Sequence, residues 1–153
     1  MSQTQMVICH IAKQEYAIHI DYVERIIEYS TITPLPETAD HVLGILNYQD
    51  SILPIIDLNK RLFKESTDYR EDSKILVIQL EKYKIGLLVD SVNEVKSIED
   101  DKIERPSGMV KGIAPHYIKG LIRKDDKIII FLEIEEIFQG GQQKELMHMI
   151  QDN

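Results

Sequence analysis

The chain has 153 residues, enough for one domain or for two small subdomains around a shared core. Apolar residues make up 43% and charged residues 29%, a globular balance, and a formal charge of -8 argues against nucleic acid, which is held chiefly by Lys and Arg neutralising phosphates. No apolar run approaches the roughly 20 residues of a membrane span, and the start MSQTQMVICH lacks the basic opening and cleavage site of a signal peptide, so a cytoplasmic protein is expected.

From Gln5, QMVICHIAKQEYAIHI reads as two strands rich in Ile, Val and Tyr about a short turn. Cys9 is the single cysteine, so no internal disulfide is available, and in a branched apolar run it reads as a small buried hydrophobe rather than a nucleophile. Val23, Ile26 and Ile27 then recur at i, i+3 and i+4, the spacing of one apolar face of a short helix, just after Asp21. A Pro-bearing loop, ITPLPETAD, leads to a hairpin, VLGILNYQDSILPIIDL from Val42.

The centre of that hairpin sets an acid, Asp50, beside a hydroxyl, Ser51. Nucleophilic catalysis needs a base within reach of the hydroxyl, and adjacency in sequence supplies none. A turn of short polar side chains feeding a branched strand is the plainer reading. Pro54 cannot donate to a ladder, so it is expected on an edge strand or at a bulge. ESTDYREDS, from Glu65 to Ser73, reads as a solvated connector.

The second half of the chain, beyond this connector, repeats the pattern of the first. KILVIQLEKYKIGLLVDSVNEV, from Lys74, lies over the stretch from Gln5 at an offset of about 69, setting Lys82 on Lys13, Asp90 on Asp21 and Val92 on Val23. IKGLIRKDDKIIIFLEIEEIF, from Ile118, lies over the stretch from Val42 at an offset of about 76, setting Gly120 on Gly44, Ile128 on Ile52 and Glu133 on Asp57. The second hairpin carries KDDK where the first has YQDS, with no serine, so Asp50 and Ser51 are turn residues first. Many short strands punctuated by Gly and Pro point to an all-β fold of two small barrels of about five strands each, from repeat copies about 5–63 and 74–138. The remainder, 139–153, reads as a C-terminal helical tail in which Leu146, Met147 and Ile150 could dock on the body.

Catalytic chemistry finds little support. His10, His19, His41, His116 and His148 form no recurring ligand spacing, and neither GxxxxGK[ST] nor GxGxxG occurs. The acid pairs Asp100 with Asp101 and Asp125 with Asp126 sit in turns, where solvation is the plain reading against a hard cation. Carboxylates that meet in space are not visible in spacing. No catalytic residue, metal or cofactor is expected. If the copies pack with approximate two-fold symmetry, Val23, Ile26, Ile27, Val92 and Val95 could converge on a groove that receives a helix; the alternative is ordinary core between barrels.

YAIHIDYVERIIEYSTITPLP, VLGILNYQDSILPIIDLNKRL, ILVIQLEKYKIGLLVDSVNEV and YIKGLIRKDDKIIIFLEIEEI, in this order, resemble the CheW family of chemotaxis coupling proteins from about Met6 to Phe138. The resemblance implies two SH3-like five-stranded barrels and a non-enzymatic adaptor that joins the cytoplasmic tips of chemoreceptors to the regulatory domain of the histidine kinase CheA, without inserting into the membrane. Receptor tips would dock along Val23, Ile26, Ile27, Val92 and Val95. Kinase contacts would fall on Arg25, Asn47, Gln49 and Asp50 in the first barrel and on Glu104, Arg105 and Met109 in the second. The family pattern at the hairpin is usually N-x-R-G, and this chain has Asn47, Tyr48, Gln49 and Asp50. Gln cannot imitate the planar five-donor fork of Arg, and Asp in place of a turn Gly is strained if φ is positive. Arg25 also stands where Glu is common. These departures open a second reading, a specialised paralogue or another intracellular binding module with an altered kinase contact. A CheV-like protein would need a receiver domain, for which 153 residues leave no room.

Overall fold

A computed structural model describes residues 2–36, 40–65 and 72–138. Chain order is β1 (Gln3–Ile11), β2 (Gln14–His19), β3 (Val23–Glu28), β4 (Val42–Tyr48), β5 (Ser51–Ile56), α1 (Leu58–Phe63), β6 (Lys74–Leu80), β7 (Tyr83–Val89), β8 (Ser91–Glu99), β9 (Ile103–Glu104), β10 (Ile118–Lys124), β11 (Lys127–Leu132) and α2 (Ile134–Ile137). The expected C-terminal helix, with Leu146, Met147 and Ile150, lies outside the described residues, as do 66–71 of the connector. No helix among the described residues is long and apolar enough to cross a membrane.

Branched runs give the strands, and two-residue turns join them. Ala12 and Lys13 between β1 and β2, and Gln49 and Asp50 between β4 and β5, all have positive φ, the pattern of the turn whose twist matches that of the flanking strands. The α1 helix was not foreseen in its place. Asp57 caps it, its carboxylate accepting from the Lys60 amide at 3.1 Å, and Lys64 at φ 64 ends it.

The strands form an all-β pair of SH3-like barrels, but the sheets do not divide along the repeat. The first barrel has strand order β3-β6-β7-β5-β4, and the second β8-β1-β2-β11-β10-β9. Each copy therefore hands its opening hairpin to the other: β1 and β2 sit in the sheet of β8 to β11, while β6 and β7 sit in the sheet of β3 to β5. The exchange is symmetric down to single residues. Ile55 pairs in parallel with Gly86 in one barrel, and Phe131 with Ala17 in the other, positions related by the two repeat offsets. Likewise the Asp57 amide donates to the His41 carbonyl and the Glu133 amide to the Tyr117 carbonyl, both at 2.8 Å.

Gly44 and Gly120 mark matching bulges against β5 and β11. A Cβ at Gly44 would lie 2.2 Å from the Thr33 carbonyl oxygen, and one at Gly120 would lie 2.3 Å from Cγ2 of Ile103. In both barrels the missing side chain admits a crossing segment: Thr33 bridges to Ile45, and β9 pairs with β10. Pro54 is neither on an edge strand nor at a bulge. It lies opposite Ile45 in β5, one residue before pairing with β7 begins at Ile55. Counting alternate pairs from the Tyr48–Ser51 closure of the hairpin, the Ile45–Pro54 pair is one that exchanges no hydrogen bonds, so β4 asks for no donor there.

Three apolar clusters result. Tyr48, Leu53, Ile55, Ile75, Val77 and Leu88 fill the first barrel; Met6, Ile8, Ala17, Ile98, Ile122, Ile129 and Phe131 fill the second. The largest cluster lies between the sheets and includes Val7, Cys9, Leu76, Ile78, Ile85 and Leu132.

Candidate partner-docking site

The edge strands β3 and β8 explain the apparent helical spacing. Val23 pairs with Ile78, Arg25 with Val77 and Ile26 with Leu76, leaving Glu24 as the extra residue of a bulge. Val92 pairs with Cys9, Glu94 with Ile8 and Val95 with Val7, leaving Asn93 extra in the same way. A bulge adds one residue to a period of two, so side chains three apart return to the same face. No helix is present at either place. The extra residues are tied down. Glu24 accepts from the Tyr48 hydroxyl at 2.8 Å and meets Lys84 Nζ at 2.9 Å, while Asn93 Nδ2 reaches Glu15 Oε2 at 3.3 Å and His10 Nδ1 at 2.9 Å.

Val23 and Val92 both pack against the cluster between the sheets. Beyond them, on the same faces, Ile26 is 41% and Val95 56% exposed. Two short apolar strips thus leave one shared core along repeat-equivalent strands. Ile27 does not join them: it pairs with Ile75 and, partly buried, packs against the cluster inside the first barrel.

The residues assigned to the kinase fall into two sets. Asn47, Gln49 and Asp50 stand exposed on the β4–β5 hairpin, with Arg25 exposed on β3 beside Glu24. Glu104, paired with Arg123 at 2.8 Å, belongs to the second barrel with Arg105 and Met109, which is 68% exposed. In the first set Gln49 has φ 48 and Asp50 φ 62. The condition for strain at Asp50 is therefore met. Next to the turn Ile52 is 39% exposed, a surface residue that its place in an apolar run concealed. Its pairing with Asn47, itself exposed, was the available signal, since directly paired residues share a face. A surface depression of about 220 Å³ is lined by Tyr48, Gln49, Ser51, Ile52, Gln79, Lys82 and Lys84. Lys84 and the Tyr48 hydroxyl, both bonded to Glu24, hold its carboxyl below the ordinary range, while burial and that same bond raise Tyr48.

The CheW-like domain family matches residues 5–142. The chain belongs to this family. Among CheW relatives, the chemotaxis protein CheW of Thermotoga maritima is 31% identical over 88% of this chain and 87% of its own length. That of Treponema pallidum is 27% identical over 96% of this chain and 89% of its own. The crystal structure of scaffolding protein TtCheW from Thermoanaerobacter tengcongensis superposes with a TM-score of 0.81 at 31% identity, covering 93% of this chain and 92% of that one.

Within this CheW-like fold other candidate groups have structural roles. Cys9 is fully buried, and burial, reinforced by the Asp90 and Glu15 charges, pushes its thiol up to about 12, far from a thiolate nucleophile. Asp100 takes the Thr4 hydroxyl at 2.6 Å, and Asp125 sits in a turn at φ 57. Among the described residues no cluster of three or more His, Cys, Asp or Glu is placed to hold a metal ion.

Proposed function

We propose that the chain is a non-enzymatic scaffold of chemotaxis signalling that couples chemoreceptor tips to a CheA-type histidine kinase at membrane-anchored receptor arrays in the cytoplasm. The observation that carries this reading is the pair of exposed apolar strips, Val23 with Ile26 and Val92 with Val95, running out of one core on matching edge strands. A helical tip that lays an apolar face on these strips buries surface worth about 25 cal/mol per Å². The names of the relatives, chemotaxis proteins and a scaffolding protein, support the same role.

Calorimetry against a receptor-tip peptide and against the regulatory domain of the kinase from the same organism tests it. Val95→Asp is expected to weaken receptor-tip binding at least tenfold and leave kinase binding in place. An unchanged receptor affinity would sink the groove. A retuned kinase contact is the second reading, favoured by the two strained residues of the hairpin. Under it, Gln49→Arg with Asp50→Gly changes kinase affinity, and equal affinities would dismiss it.

A further inference from the structure

Of the four edge strands among the described residues, β9 has only two residues, and β4 is covered at Ile45 by the Thr33 bridge. On β3, Glu24 is bound by Tyr48 and Lys84. The nine-residue β8 is longer, and although Asn93 is likewise tied to His10 and Glu15, residues 93–97, NEVKS, are all exposed. Its outer edge presents backbone donors and acceptors that another strand can pair with.

The side chains on that edge are self-complementary. Set antiparallel to a second β8 with Val95 on the two-fold axis, Glu94 of each copy falls opposite Lys96 of the other, Asn93 opposite Ser97, and Val95 opposite Val95. Directly opposed residues share a face with Cβ atoms about 5 Å apart, so the two Glu–Lys pairs form together. The equivalent strand lacks this symmetry. Centred on Ile26, β3 would set Arg25 against Ile27 and Glu24 against Glu28, two carboxylates.

We propose that β8 is a homotypic docking edge, through which two copies of this chain join by antiparallel pairing centred on Val95. The partner is a second copy because the charge order Glu94, Val95, Lys96 reads as its own complement across a dyad. So short a contact makes a weak dimer, below the roughly 1,200 Å² of stable interfaces. Only β8 takes part, and neither receptor nor kinase is needed to form the pair.

Sedimentation equilibrium of the full chain over a concentration series provides the test. The native chain is expected to show a reversible monomer–dimer equilibrium. Glu94→Lys alone and Lys96→Glu alone each turn two attractive pairs into two repulsive ones, and each is expected to loosen the dimer about tenfold. The double variant E94K/K96E restores opposite charges across the dyad and is expected to regain native affinity. Both positions are exposed, and circular dichroism confirms that each variant keeps its fold. A native chain that stays monomeric throughout overturns the proposal. A dimer that ignores the single reversals, or that the double swap fails to restore, overturns it equally.

Discussion

The β4–β5 hairpin turns through Gln49 and Asp50, both at positive φ, and leaves Ile52 39% exposed, whereas β10–β11 turns through Asp125 and Asp126, with positive φ at Asp125, and half-buries the matching Ile128 against the shared core. The second hairpin is also fastened close to its turn, where Gln14 Nε2 donates to the Ile128 carbonyl at 2.8 Å. The repeat equivalent of Gln14 is Tyr83, whose side chain carries no amide. Two copies of one plan thus diverge at the same place: Gln14 holds the second hairpin at Ile128, while the first, held at Tyr48 by Glu24, leaves Ile52 exposed beside two residues of positive φ.

The glycine pair offers the strongest way to break the symmetry. At Gly44 a Cβ meets backbone, the Thr33 carbonyl 2.2 Å away, and φ is already +152, while at Gly120 it meets a methyl of Ile103 that has some room to move. Gly44→Ala is expected to cost about 3 kcal/mol or more, and Gly120→Ala about half as much, in urea unfolding. Equal costs would show that the two crossings are equivalent after all.

Next come the caps. Asp57 is buried and its carboxylate binds the Lys60 amide, whereas Glu133 makes no side-chain cap to α2. Asp57→Ala is expected to lose about 1–2 kcal/mol, and Glu133→Ala only a few tenths, by the same measurement.

How far the sequence carries becomes clear from such pairs. Strands, hairpins and the matched positions of Gly44 with Gly120 and Asp57 with Glu133 are all local patterns, and they were legible. The exchange of hairpins was not, because a strand's alternation tells which face is buried and not which neighbour covers its edge. The bulges at Glu24 and Asn93 mimic helical spacing, so Val23 with Ile26 and Val92 with Val95 share a face on strands rather than on helices, and Ile27 falls on the opposite face of β3. Ile52 was missed because an isoleucine inside an apolar run reads as core, and only its pairing with exposed Asn47 reveals its surface position.

A smaller effect separates the copies by pH. His41, next to the first barrel's α1, is held down to about 4 by burial, helped by the Arg61 and Lys64 charges. The unfolded chain binds that proton near pH 6.5 while the native chain refuses it until about 4. Stability contributed by neutral His41 is therefore present above pH 6.5, falls as pH drops through the window, and levels off below pH 4. His41→Gln is expected to flatten the slope of thermal stability between those limits, and an unchanged slope would contradict the assignment. The least effect is expected at the turn: Asp50→Gly relieves a positive φ and is expected to stabilise the chain by up to about 1 kcal/mol in urea unfolding.

The exchanged hairpins also decide how the molecule breaks and how it transmits force. A cut between Glu65 and Asp72 yields one fragment with β1 to β5 and another with β6 to β11, and neither contains a complete sheet. Each fragment alone lacks the partner strands that complete its sheet, so the two are expected to regain structure only as a mixture. For the same reason each barrel is completed by a hairpin from the other copy of the repeat. The β3 strip joins the β4–β5 hairpin through the continuous ladder β3-β6-β7-β5-β4, while the β8 strip, in the other sheet, meets that hairpin's barrel through the core between the sheets.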